Sequence, residues 1–242
     1  MSRTVVILQP QYIPWVGVFE QIRLADVYVH YDDVQYPQGR SFTNRVQIKT
    51  SRGPKWLSVP VKKATGIKVI NKASISNDES WRRKHIESFR HAYAKAPFIA
   101  DALDLMGDIL SQPFDNLSDL NCYALETIAR YLGLDTEFVR ASELDVPGNS
   151  TQRLVDICEH LNADKYITGL GARNYVEYSL FEERNIELHY MLYEKRSYCQ
   201  QYGEFTPFVS ILDLIANCGV SGRANICSSA KYWQGVKDID SL

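Results

Sequence analysis

Long apolar runs are missing from this chain of 242 residues; none approaches the roughly 20 residues that a membrane-spanning helix requires. Cys-x-x-Cys pairs are missing too. The five cysteines (Cys122, Cys158, Cys199, Cys218 and Cys227) are odd in number and widely spaced, which argues against a zinc site or disulfide framework and for scattered reduced thiols. His30, His91, His160 and His189 show no metal-ligand spacing with one another or with cysteine, so no metal is expected. Net charge is slight, -2 with a pI near 6.2, and gives no global attraction to nucleic acid or an anionic membrane. No signal peptide precedes the first apolar stretch, and the expected location is the cytoplasm. Repeats, low-complexity segments and interdomain linkers are absent. So are a Ser-His-Asp order, a nucleophile elbow, a Walker loop and a His-Glu-x-x-His pair. At 45% hydrophobic residues, the length allows one large domain or two small ones, and one is the simpler account.

What is present is concentrated in residues 9 to 36. The run Thr4-Val5-Val6-Ile7-Leu8 is apolar on nearly every residue, the habit of a strand buried on both faces in a parallel sheet. Pro10 and Pro14 then impose a rigid loop over residues 9 to 15. A helix follows with Val16, Phe19 and Ile22 inward, and Val27 to Tyr31 is the next strand. Strand, loop, helix, strand is a crossover unit, and ligands of open α/β sheets bind at the carboxyl ends of strands. Gln9, Tyr12, Trp15, Asp32, Asp33, Gln35 and Tyr36 gather at that edge.

Farther along, Arg45 to Lys49 and Trp56 to Val61 read as antiparallel strands around a Ser51–Pro54 turn, with a third strand at Ile67 to Ile70. Ser76 to Glu79 has capping-box spacing. The helix after it carries Trp81, His85, Phe89 and Tyr93 on one stripe. Leu117 to Leu132 marks a second helix, stopped by Gly133. Strands at 136–140, 165–168 and 186–191 alternate with helices at 151–161 and beyond, and Thr206-Pro207 caps a last helix with Phe208, Ile211, Leu212 and Ile215 on its core face. The expected fold is α/β: a mostly parallel sheet flanked by helices, with a hairpin and helical insertion over roughly 41–133 and a Rossmann-like nucleotide-binding architecture.

Each candidate site residue has two readings. Tyr12 and Trp15 can stack on a planar or sugar ligand while Gln9 directs hydrogen bonds, or they are the packed side chains of a rigid loop. Gly17 would let a helix start approach a phosphate. Neighbouring strand residues face opposite ways, so one of Asp32 and Asp33 at most points into a pocket as general base, metal ligand or sugar-hydroxyl acceptor. Gln35, Tyr36, Arg40, Asn44 and Arg45 follow the same edge, where arginine suits bidentate anion contacts. His85 reads as a core histidine, and becomes a general-base candidate if its helix packs beside the first loop. Gly169 and Gly171 form a Gly-x-Gly turn after a strand, either an anion cradle or a tight turn needing positive φ. Ser210, Asp213 and Asn217 form a polar ridge on the last helix, either solvated or lining a site.

The segment Gln9-Pro10-x-Tyr12-x-Pro14-Trp15-x-Gly17-x-Phe19, then Ala25-Asp26, Asp32-Asp33-Val34-Gln35-Tyr36 and Asn44-Arg45, resembles the WbqC-like protein family. The likeness continues through Trp56-Leu57-x-Val59-Pro60, Trp81…His85, Tyr166-Ile167-x-Gly169-x-Gly171-Ala172 and Phe205…Ser210-Ile211-x-Asp213-Leu214. It departs at Pro37-Gln38-Gly39-Arg40, where the family pattern implies a basic residue sooner. Members occur in bacterial gene clusters for O-antigen and other surface polysaccharides, and a glycine or aminoacyl transferase role on amino sugars has been suggested for them. The resemblance implies a transferase that attaches an amino acid such as glycine, or another acyl group, to the amino group of a nucleotide-linked amino sugar in polysaccharide (lipopolysaccharide) assembly. Its activated donor would be an acyl-adenylate, a thioester or aminoacyl-tRNA, the last being the one nucleic acid expected; no membrane partner and no particular cofactor are implied. On that reading Asp32, Asp33 or His85 is the base, Gln9, Asn44 and Arg45 meet oxyanion or phosphate, and Tyr12 and Trp15 stack on the sugar. Gln35, Tyr36, Gly169, Gly171, Ser210 and Asp213 complete the substrate-binding set. The first block also resembles, for fold only, the start of pantothenate-synthetase-type nucleotide-binding proteins. The alternatives are a nucleotidyl- or adenylate-forming transferase, marked by pyrophosphate release, and a non-catalytic sugar-nucleotide-binding protein.

Overall fold

The computed structural model describes residues 2–37, 41–62, 69–76, 78 and 80–236. Thr4–Leu8 forms β1, with Val5 and Val6 fully buried, and sits at the centre of a six-stranded sheet. The chain continues through α1 (Val16–Leu24), β2 (Val27–His30), β3 (Arg45–Thr50), β4 (Gly53–Ser58), α2 (Ser80–Ala92), α3 (Ile99–Ser111) and α4 (Leu117–Tyr131). Then come β5 (Glu137–Arg140), α5 (Ser150–His160), β6 (Lys165–Thr168), α6 (Tyr178–Glu182), β7 (Glu187–Leu192), α7 (Ile211–Cys218) and β8 (Ser229–Tyr232). Sheet order is β5-β2-β1-β6-β7-β8, parallel except for β8. From β1 the chain steps outward to β2 and β5, then returns to β6 on the other side of β1, so the order reverses between β1 and β6. That reversal opens a crevice at the carboxyl ends of the strands.

Side chains alternate across the sheet because the strand period is two. Val6, Tyr28 and Ile167 join one core with Phe19 and Ile22 of α1, Leu125 and Ile128 of α4 and Ile211 and Ile215 of α7. Val5, Ile7, Val27 and Val29 join the other with Leu154, Val155 and Ile157 of α5 and Phe181 of α6. The mixed α/β architecture is a mostly parallel sheet with helices on both faces.

The hairpin β3–β4 is a separate two-stranded sheet, with Gly53 at φ +96° in its turn. β4 begins three residues before the expected Trp56, since Pro54 and Lys55 pair with Lys49 and Ile48. Of the third strand expected at Ile67–Ile70, residues 67 and 68 lie outside the described residues; Val69 bridges Gln35 and Ile70–Lys72 is a 3-10 turn. Asn77 and Glu79 of the expected capping box also lie outside the described residues; Asp78 accepts from the Ser80 amide at 3.0 Å and from its hydroxyl at 2.9 Å. Trp81, His85 and Phe89 are buried on α2 as their spacing implies. α4 is capped by Asn116, whose side chain accepts from the Ser118 amide, and Gly133 follows it at φ +64°.

Two expectations need correction. The last helix starts at Ser210, whose hydroxyl accepts from the Leu212 amide, and not at Thr206-Pro207. Phe208 precedes that helix and is 42% exposed, so the core face is Ile211, Leu212 and Ile215 without it.

Candidate functional site

A cavity of about 660 Å³ occupies the crevice between β1 and β6. Its floor includes Leu8 and Gln9 at the end of β1 and Tyr166 of β6; Tyr31 and Asp33 reach it from the end of β2, and Gly148–Ser150 and Arg153 bring the start of α5. Gly148 adopts φ +110°, a conformation only glycine takes without strain, and this turns the chain into α5. No side chain caps α5 at Asn149, so the first amides of that helix keep their donors facing outward.

Arg153, 6% exposed, is the charged centre of this cavity. Nη1 and Nη2 donate to Asp33 Oδ1 and Oδ2 at 2.9 and 2.6 Å, Nε donates to the Val146 carbonyl at 2.9 Å, and the guanidinium lies 5.1 Å from the Tyr31 ring centroid. Its pKa is held up by the Asp33 hydrogen bonds against the cost of burial. Of the five N–H donors of the guanidinium, three go to Asp33 and Val146 and a further hydrogen bond joins it to the Tyr31 hydroxyl, while each Asp33 oxygen keeps a lone pair. The pair is therefore half-spent and adjoins open space. Burial raises the pKa of both Tyr31 and Tyr175, keeping them neutral donors, and Tyr175 at the rim is 63% exposed.

Asp32 turns the other way. Its carboxylate accepts from the Ser142 amide at 3.1 Å and hydroxyl at 2.8 Å, fixing the turn after β5. Gln9 and Gln35 line the cavity with Asp33; Tyr12, Trp15 and Tyr36 are not among its lining residues. Tyr12 is fully buried against Trp81 and His85. Trp15 packs on Tyr193 and Phe208, and its indole lies over Gly17, where a Cβ would come within 2.1 Å of the ring. Gly17 thus makes room for Trp15, and the indole fills the space expected for a phosphate.

α2 does pack beside the first loop, and His85 Nδ1 shares a hydrogen bond of 2.9 Å with the Tyr12 hydroxyl. Burial, aided by the Lys55 charge and opposed by a hydrogen bond with the Ser58 backbone, pushes the His85 pKa down to about 4. Asn44 donates to the Val59 carbonyl, and Arg45 donates to the Ser41 carbonyl while lying 4.4 Å over the Trp56 ring. Gly169 and Gly171 enter a 3-10 turn, and neither is among the positive-φ glycines, so the turn does not depend on that conformation. Ser210 and Asp213 are buried and form no solvated ridge. Ser210 donates to the Ile13 carbonyl, and Asp213 accepts from Tyr93, Tyr198 and Gln200.

The sequence reading missed Arg153, Tyr31, Tyr166 and Tyr175. The Gly148-Asn149-Ser150-Thr151 segment marks a helix start, but nothing local says that its first turn meets Asp33, 120 residues earlier. Among the described residues, no group of three or more His, Cys, Asp or Glu is placed to hold a metal ion, and no helix is long and apolar enough to cross a membrane.

Comparison with known proteins agrees with the chain's own motifs: the model of the WbqC-like protein family matches residues 9–225. The chain belongs to the WbqC-like protein family. It is 35% identical over 219 residues to the uncharacterized protein Rv1507c of Mycobacterium tuberculosis (strain ATCC 25618 / H37Rv), covering 90% of this chain and 94% of that protein. No solved structure matches. The family match takes in the cavity residues from Gln9 to Tyr175, while Ile7 and Leu8 of the lining precede it.

Proposed function

We propose that this WbqC-like protein transfers an acyl group, an amino acid such as glycine, to the amino group of a nucleotide-linked amino sugar in surface polysaccharide (O-antigen, lipopolysaccharide) assembly. The observation that carries the reading is the half-spent Arg153–Asp33 pair in a cavity at the strand-order reversal. The guanidinium edge that Asp33, Val146 and the Tyr31 hydroxyl leave open and the first amides of α5 suit a diphosphate. Tyr31 and Tyr175 offer rings and hydroxyls to base or sugar. Asp33 is the base: it takes a proton from the sugar ammonium, the freed amine attacks the donor carbonyl, a C–N bond forms, and the bond to the donor's leaving group breaks with its electron pair. Gln9, which lines the same cavity at the end of β1, donates to the oxyanion on this reading.

The test is incubation with nucleotide-linked 4-amino sugars and an activated glycine, followed by mass spectrometry for the amide. Amide formation that falls about 10²-fold in Asp33→Asn supports the reading. If no amino sugar is acylated with any donor, it fails. A second reading, non-catalytic binding of a sugar nucleotide, is favoured by one observation: both Asp33 oxygens are already engaged by Arg153. It expects tight binding with no new product.

A further inference from the structure

Acidic residues are absent from Val34 to Asn77. Residues 41–96 carry 13 Lys and Arg against 3 Asp and Glu, while the rest of the chain carries 14 against 26. The overall charge of -2 therefore conceals a segregation of +10 from -12. A block this one-sided is an electrostatic footprint that net charge alone hides.

The block contains the hairpin β3–β4 and α2. Lys84, Ser88 and His91 recur along one side of α2, and Lys55 Nζ donates to Ser88 Oγ at 3.1 Å, so this side faces the hairpin. A groove of about 460 Å³ lies between them, lined by Ser51, Arg52, Lys55, Glu87, His91 and Tyr202 among others. Arg52, Lys55 and His91 are exposed. Among the described residues, the carboxylate of this groove is that of Glu87, which pairs with Arg90 at 3.6 Å. Tyr202 is 43% exposed, yet its hydroxyl donates to the Ala92 carbonyl at 2.5 Å and its backbone is held at φ +63°. An aromatic face is thus fixed among cations.

We propose that this groove binds the phosphate backbone of RNA, with Tyr202 offering a stacking face to an unpaired base. Among the described residues, Ala92 is the one aliphatic residue lining the groove, so there is little to insert into a lipid surface. A tethered aromatic ring among spaced cations suits alternating bases and phosphates better than a run of carboxylates. The binding stands without the acyl-transfer reading and rests on it only for the cargo, an amino acid esterified to the RNA's 3′ end. There the sugar amine would form the C–N bond as the ester C–O bond breaks, and the amine proton would pass to the released ribose hydroxyl.

Fluorescence polarisation with a labelled, uncharged tRNA transcript, in the presence of about 100 mM salt, tests this. Wild-type protein is expected to bind. The variant R52E/K55E is expected to lose about 10-fold or more in affinity, and its salt dependence to flatten by about 1.4 in the slope of log K against log salt, for two lost phosphate contacts. R130E/K231E makes the same charge change outside the block and is expected to stay within about twofold of wild type; R52Q/K55Q serves if the reversal harms folding. Absence of RNA binding, equal losses in both variants, or stronger binding of phosphatidylglycerol vesicles or polyglutamate than of RNA overturns the proposal. Sugar acylation from a glycyl thioester needs no RNA. If it proceeds while tRNA is not bound, the RNA proposal fails alone; if tRNA binds and no donor supports acylation, the transferase reading fails alone.

Discussion

Asp33 and Asp213 are both held by several hydrogen-bond donors, yet they do opposite things. Asp213, in the first turn of α7, is fully enclosed: Tyr93 donates to Oδ2 at 2.7 Å, and Tyr198 and Gln200 donate to Oδ1 at 2.8 Å each. Burial raises its pKa and these donors oppose the rise. Through Gln200 and the Lys49 ammonium, the network ties the irregular segment after β7 to the hairpin. Among the described residues, the Asp33 carboxylate hydrogen-bonds with Arg153, and a cavity lies beside it. The better satisfied carboxylate is therefore the structural one. Unused hydrogen-bonding capacity next to space is what distinguishes a binding site from a buried network.

The comparison can be broken most directly by truncation. Asp213→Ala strands the Tyr93 and Tyr198 hydroxyl donors in the interior, while Gln200 keeps the Thr206 carbonyl, and should cost about 3 kcal/mol or more in urea unfolding. Asp33→Ala should cost less, about 1–3 kcal/mol, because the Arg153 donors it frees adjoin the cavity, where water can take the place of the carboxylate. Equal losses would erase the distinction.

His85 supplies a third environment, an ionisable group kept neutral by the core. Its folded pKa of about 4 lies below the ordinary value of 6.5, so between those values the unfolded chain binds more protons. Stability should then fall as pH drops from about 6.5 toward 4, by at most about 3 kcal/mol, and the fall should flatten in His85→Asn. A wild-type profile no steeper than the variant's would show that the imidazole is not held neutral. Smaller effects come from two glycines. Gly17→Ala drives a methyl into the Trp15 indole and should lower stability by about 1–3 kcal/mol. Gly148→Ala meets the Arg153 stem at an ordinary contact distance of 3.6 Å but takes an unfavourable φ, and should cost about 1 kcal/mol while weakening ligand binding at the cavity. Thermal melts of the two variants, with and without sugar nucleotide, separate packing from site geometry.

Much of this was legible in the residues. The unbroken apolarity of Val5-Val6-Ile7 marks a two-sided buried strand, and the expected divergence of Asp32 and Asp33 holds although both lie just past the end of β2. α3 was equally legible: Ala102, Met106, Ile109 and Leu110 follow helical spacing, and the sequence reading passed over them. Trp15 and Tyr12 were misleading because an aromatic residue after a strand end serves packing and stacking equally well, and only the position of Gly17 and of α2 decides. Arg153 was invisible in principle, since its role depends on α5 returning to the edge of β2, a long-range event that no local pattern encodes.

The measurement closest to the central claim is calorimetric titration of a nucleotide-linked 4-amino sugar into wild-type protein, Arg153→Met and Asp213→Asn, with each variant's fold checked by circular dichroism. If the β1–β6 cavity is the substrate site, wild type binds, Arg153→Met loses about 10-fold or more in affinity while remaining folded, and Asp213→Asn binds like wild type despite a lower melting temperature. Undiminished binding by folded Arg153→Met would contradict the account.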